Sequence, residues 1–304
     1  MKKLCLTRRG LGALALVAVL AGCQTPASAV APATVRTAGA SSMRALPPNM
    51  PLLYIGDLST NDVFVYDYPS YTAVGTLTGF DQPEGMCTDA QGHVFVTNMG
   101  SGTVQEYDHG GTAPIDTFAT GGTPVGCAVR PVTNDLAVAD STSGKYTLYP
   151  NENPNAGAPY GPGAITSMYY LGYDNAGYLY MDGYVGAAFG YEYNHNNGPF
   201  HLVPYSGPAI AKPGGVQWSG VAHKVWIGDQ STGNLYDIKL NGAQFGPTVT
   251  LAGAACVVQF FIRNTKVVGP DRCNGTASIY HFPGGGVDVI GTPPATPVSS
   301  AISL

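Results

Sequence analysis

The sequence predicts an all-β fold: a six-bladed β-propeller with four-stranded blades, closed by a C-terminal strand that joins the first blade. Three observations predict it. One pattern recurs six times at a spacing near 42 residues, the composition is rich in turn formers, and the chain ends on the one strand that the first copy lacks.

In each copy a short apolar strand ends in Asp or Asn, a polar Gly-containing loop follows, and a second alternating strand comes next. Leu53-Tyr-Ile-Gly-Asp57 precedes Val63-Phe-Val-Tyr-Asp67, and Val225-Trp-Ile-Gly-Asp229 precedes Asn234-Leu-Tyr-Asp-Ile238. The strand-ending residues are Asp57, Asn98, Asp140, Asp182, Asp229 and Asp271, at steps of 41, 42, 42, 47 and 42 residues. Upstream lies another strand opened by a Pro-x-Gly turn, as in Pro83-Glu-Gly85, Pro124-Val-Gly126 and Pro213-Gly-Gly215. Asp89-Ala-Gln-Gly92 and Asp174-Asn-Ala-Gly177 join that strand to the next, with glycine where a tight hairpin requires positive φ. The copy at Leu53 has no such upstream strand. Thr296-Pro-Val-Ser-Ser-Ala-Ile-Ser303 aligns with Thr123-Pro-Val-Gly-Cys-Ala-Val-Arg130 and supplies it from the C-terminus, which removes the open edge between first and last blades.

Composition agrees. Of 304 residues, 41 are Gly and 24 Pro, and only 11% are charged. A long-helix protein would need about half A/E/K/L/R. The 44% hydrophobic content excludes a charge-driven disordered chain.

Residues 1–22 read as a signal peptide: Lys2, Lys3, Arg8 and Arg9 precede an apolar run, Leu11 to Leu20, that is too short to span a membrane. The junction Leu20-Ala21-Gly22-Cys23 resembles a bacterial lipobox, which implies lipid attachment at Cys23. Residues 23–50, rich in Ala, Pro, Ser and Thr, read as a tether, and 51–304 as the propeller. The chain's formal charge is −5, but the propeller body holds eight basic residues against nineteen acidic ones, a formal −11. That argues against nucleic acid and against the body lying on an anionic membrane, leaving the lipid anchor as the membrane contact.

From the Pro-x-Gly turn, the Asp-x-x-Gly turn and the apolar strand ending in Asp, residues 51–304 resemble the six-bladed propellers of the NHL-repeat and gluconolactonase-like (senescence-marker-protein) group. These motifs specify architecture more than activity. Calcium-dependent lactonases of that group hold their metal near the channel through several oxygen side chains. Here Glu84 is the one carboxylate in the ring of residues inside the Pro-x-Gly turns (Glu84, Val125, Thr166, Gly214, Ala254, Val298), with Asn98 or Asp140 as companions. The recurring Asp/Asn set has a simpler reading, as acceptors for backbone amides of the following loop. His93 and His223 precede second strands, and His109, His195 and His281 lie at third-strand ends, so none falls at an inner-strand start.

Cys87, Cys127, Cys256 and Cys273 form an even set in an exported chain. Cys87 and Cys127 sit at the starts of neighbouring inner strands, and Cys256 starts one whose antiparallel partner ends before Cys273. Both pairs come within bridging reach, so the expected bridges are 87–127 and 256–273, with a single bridge or free buried thiols as the alternatives. Tyr169, Tyr170, Tyr173, Tyr178, Tyr180 and Tyr184 crowd the fourth copy and suit inter-blade packing or contact with a sugar or peptide. The function expected is a monomeric binding or scaffolding module at the cell envelope, taking a small ligand, glycan or protein at the channel face with no cofactor. The alternative is a divalent-metal-dependent lactonase or hydrolase using calcium or a similar cation.

Overall fold

A computed structural model describes residues 40–47, 49–195, 197–204, 209–238, 245–293 and 295–304. The signal peptide, Cys23 and the tether as far as residue 39 lie outside the described residues.

The apolar alternation of each copy becomes an antiparallel sheet, and there are six such sheets among the described residues. Blade 1 contains β1 (Ser42–Met43), β2 (Leu52–Asp57), β3 (Asp62–Asp67) and β4 (Thr72–Leu77). Blade 2 is β5 (Pro83–Thr88), β6 (Val94–Asn98), β7 (Thr103–Tyr107) and β8 (Asp116–Ala119). Blade 3 is β9 (Pro124–Val129), β10 (Leu136–Asp140), β11 (Tyr146–Tyr149) and β12 (Ala158–Tyr160). Blade 4 is β13 (Ser167–Tyr173), β14 (Tyr178–Val185), β15 (Ala188–His195) and β16 (His201–Leu202). Blade 5 is β17 (Pro213–Ser219), β18 (Lys224–Asp229), β19 (Asn234–Ile238) and β20 (Phe245–Thr250). Blade 6 is β21 (Phe261–Arg263), β22 (Lys266–Asp271), β23 (Thr276–His281) and β24 (Val287–Val289).

The last strand, β25 (Pro297–Ser303), pairs with β2 from Leu52↔Ser303 to Asp57↔Pro297 and is the inner strand of blade 1. The expected closure is therefore the observed one. All seven residues of β25 are buried, because the strand lies between β2 and the inner strands of the neighbouring blades. The six inner strands touch in succession around a central channel, with β25 beside both β5 and β21.

Blade 1 has one strand more than the sequence suggested. Ser42 and Met43, within the stretch read as tether, pair with Thr76 and Gly75 of β4, and Met43, Leu46 and Met50 pack on the core beneath. No alternation marks so short a strand; backbone pairing and three scattered apolar side chains hold it.

Glycine in the Pro-x-Gly turn has a steric cause. A Cβ on Gly85 would fall on the carbonyl oxygen of Val125 in β9, and one on Gly126 would crowd Tyr169 and Tyr170 in β13. Neighbouring inner strands approach too closely here for a side chain. Each motif sits at a register shift, between Pro83 and Met86 in blade 2 and between Pro213 and Val216 in blade 5.

Both expected disulfides form, Cys87–Cys127 with Cα atoms 5.6 Å apart and Cys256–Cys273 at 5.3 Å. Their strand positions differ from expectation. Cys87 is the fifth of six residues in β5 and Cys127 the fourth of six in β9, because these strands begin at their prolines. Cys256 precedes the Val257↔Asp271 bridge, ahead of β21. Two bridges fit an exported protein folded in an oxidising compartment. Among the described residues no helix is long and apolar enough to cross a membrane.

Candidate functional site at the central channel

The channel has a start face, where the inner strands begin, and a far face, where they end in hairpin turns. The strand-ending acids belong to the start face. Asp57 Oδ1 accepts from the amides of Ser59 (2.9 Å) and Thr60 (3.1 Å), while Oδ2 accepts from Thr296 N at 2.7 Å. One side chain thus fastens the loop after its own strand to the start of the inner strand. Asp229 does the same with Ser231, Ala211 and Lys212, and Asp271 with Cys273, Asn274, Ala255 and Cys256.

Two proposed metal ligands are latches of this kind. Asn98 Oδ1 accepts from Asp81 N at 3.1 Å. Asp140 accepts from Thr123 N, Thr142 N and the Ser143 hydroxyl. Burial pushes the Asp140 carboxyl up, but bonds from Ser143, Thr142 and Thr123 outweigh it and hold the group below the usual range. Asp140→Ala should destabilise the fold by about 1–2 kcal/mol at pH 7, from lost amide partners. A carboxylate with a lowered folded pKa contributes stability above its unfolded value and loses it as pH falls. The gap between Asp140→Ala and wild type in urea melts should therefore narrow below about pH 4.

Asp182 departs from the repeat. Met168 pairs with Gly183, as Pro83 pairs with Asn98, so Gly183 holds the latch position and Asp182 lies one residue inward. Its Oδ1 accepts from Tyr170 N at 2.9 Å, and burial pushes its carboxyl well above the usual carboxylate range. The same registers correct the ring of residues inside the turns. Tyr169 replaces Thr166, and because Val257 pairs with Asp271, Val258 replaces Ala254.

At the position of the turn glycine, blades 4 and 6 carry Tyr170 and Gln259, and both reach blade 2. The Tyr170 hydroxyl donates to Glu84 Oε1 at 3.4 Å. Gln259 Nε2 donates to Met86 O and its Oε1 accepts from Met86 N, each at 2.7 Å. Glu84 is buried at this brace. Burial raises its pKa, while the Arg272 guanidinium and the Tyr170 hydroxyl pull it back. Of this cluster the repeat singled out Glu84, the one carboxylate of the ring; its association with Tyr170, Asp182 and Arg272 was not legible, because the position of Tyr170 depends on the Met168–Gly183 pairing.

The far face is open. A funnel of about 400 Å³ is lined by the last residues of the inner strands, among them Tyr173, Asn175, Gln217, Trp218, Phe261 and Arg263, with Gln259 and the Cys87–Cys127 bridge in its wall. Gln217 exchanges hydrogen bonds with both the amide and the carbonyl of Ile262, which fixes one wall. The Tyr173 hydroxyl and Trp218 Nε1 are buried with no hydrogen-bond partner. The ring of Glu84 and its counterparts inside the turns lies at the start face, whereas this concavity lies at the opposite end. The crowded tyrosines of blade 4 mostly pack inside: Tyr170 and Tyr180 are each 1% exposed, and Tyr180 stacks on Tyr191 at 6.3 Å.

Comparison with known proteins places this geometry. No family model and no curated protein matches the chain. Solved structures do. A chain from a nidogen–laminin complex matches 84% of this chain over 98% of its own length, with a TM-score of 0.71 and 13% identity. The likeness is one of fold. A protein of unknown function from Bacteroides caccae matches 84% of this chain and 99% of its own at 0.64 and 10% identity. The streptogramin B lyase structure matches 81% of this chain and 74% of its own at 0.55 and 13% identity.

Proposed function

We propose that the protein is exported, held at the cell envelope by a lipid on Cys23, and works as a monomeric binding or scaffolding module that takes a glycan or an extended peptide into the far-face funnel. The funnel carries the proposal. Its volume suits a ligand. Its walls combine aromatic rings with amide groups and a guanidinium, the mixture that recognises sugar faces and peptide backbones. The nidogen–laminin neighbour is a propeller-like chain seen in a protein complex, which is in keeping with such a role.

A lactonase-type metal centre would form around Glu84. Its two companions, Asn98 and Asp140, hold loop amides instead, so the binding reading is preferred.

The test has two arms. The full chain is probed on glycan and peptide arrays, and Asn175→Ala and Arg263→Ala, which alter side chains lining the funnel, are expected to lose the hits while melting like wild type. Cys23→Ser is expected to move the protein from the membrane fraction to the soluble one. Hits that survive both funnel substitutions, or a Cys23→Ser protein still in the membrane fraction, would refute the corresponding half.

A further inference from the structure

The geometry points to a second site on the far face: a divalent transition-metal site of the zinc class, formed by Asp89, His93 and Glu152, that clips blade 2 to blade 3. Asp89 and His93 flank the β5–β6 hairpin, and Glu152 follows β11. One ligand atom from each of the three lies within 4.8 Å of the others.

The contacts are those of groups facing a common point. His93 Nδ1 lies 2.8 Å from Asp89 Oδ2 and 3.0 Å from Glu106 Oε1. Yet Nδ1 and Oδ2 are both buried and make no hydrogen bond; Glu152 Oε1 is buried and makes none either. Metal bonds of about 2.0–2.2 Å would set adjacent ligand atoms roughly 3 Å apart. The Asp89 side chain is fully buried, and its other oxygen, Oδ1, accepts from Gln91 N (2.9 Å) and His93 N (2.7 Å), which aims Oδ2 inward.

Charge argues the same way. Glu106, its side chain 5% exposed, closes one side, and Asp108 Oδ1 lies 3.5 Å from His93 Nε2. Asp135 is nearby but is bonded to Arg130. An imidazole nitrogen with carboxylates suits zinc, whereas calcium wants six or more oxygens. Among the described residues the other group with ligand spacing, Cys256, Asp271 and Cys273, has its two sulfurs joined in a disulfide.

The competing arrangement is a protonated His93 neutralising the acids with no metal. Isothermal titration of the chelator-treated full chain with zinc chloride separates the two. One equivalent of zinc is expected to bind and to raise the melting temperature, with calcium giving no comparable heat. Glu152→Gln, on a half-exposed turn, should fold normally and weaken zinc by more than about 10-fold; His93→Gln should abolish the site. Zinc that binds both variants as it binds wild type would overturn the proposal. So would the absence of a one-equivalent site, or a His93 ring that nitrogen NMR shows doubly protonated at pH 7 with zinc present.

Discussion

Removing residues 291–304 should abolish cooperative folding of the entire propeller. The deletion takes β25, whose seven residues are all buried. Val298, Ala301 and Ile302 alone account for roughly 5 kcal/mol of apolar burial. The ladder to β2 from Leu52 to Asp57 is lost with them. So is the Thr296 amide that anchors Asp57, and the Val298 carbonyl that accepts from Gln259 N at 3.0 Å. A domain's whole stability is about 5–15 kcal/mol, so little remains. Circular dichroism melts should show no cooperative transition. A melting temperature within a few degrees of wild type would mean that the ring does not depend on its closing strand.

Gly85→Val should be nearly as damaging, although it removes nothing. The added Cβ would meet the Val125 carbonyl oxygen and Gly126 Cα, both main-chain atoms of β9. A flexible side chain could yield, but β9 is held by its ladder to β10 and by the bridge from Cys127 to Cys87. Gly85 itself is held where its amide bonds the Thr97 hydroxyl at 2.8 Å. Overpacking of a well-packed core usually costs about 1–3 kcal/mol, and against immobile backbone the upper end applies to Gly85→Ala, with Val beyond it. Urea melts of Gly85→Ala and Gly85→Val should show this graded loss. Two variants as stable as wild type would show that the inner strands can spread.

These two results bear on how much of the molecule its sequence discloses. Architecture is written in the repeat because every blade solves the same problem. Glycine appears where strands crowd, and Asp57, Asp140, Asp229 and Asp271 appear where a loop and a strand start share one carboxylate. The same regularity misled at Asp182. It resembles its counterparts in sequence, but β14 runs on to Val185 and shifts the latch position to Gly183. The start-face brace was hidden for a related reason. Tyr170 and Gln259 stand where a repeat calls for glycine, and only the Val257–Asp271 and Met168–Gly183 pairings reveal that position. His93 was correctly placed away from the start of the inner strands. Its neighbours could not be read, because Glu106 and Glu152 come from different strands and blades. Contacts between copies follow from the ring, and the ring is visible only in three dimensions.

The central claim is that ligand enters the channel from the far face. Hydrogen exchange of the full chain, with and without a glycan or peptide found on the arrays, tests it most directly. The account predicts slowed exchange in the segments 171–175, 216–218 and 261–263, which carry residues lining the funnel. Protection confined to the start-face loops at 57–62, 98–103 and 229–234, with the funnel amides unchanged, would contradict it.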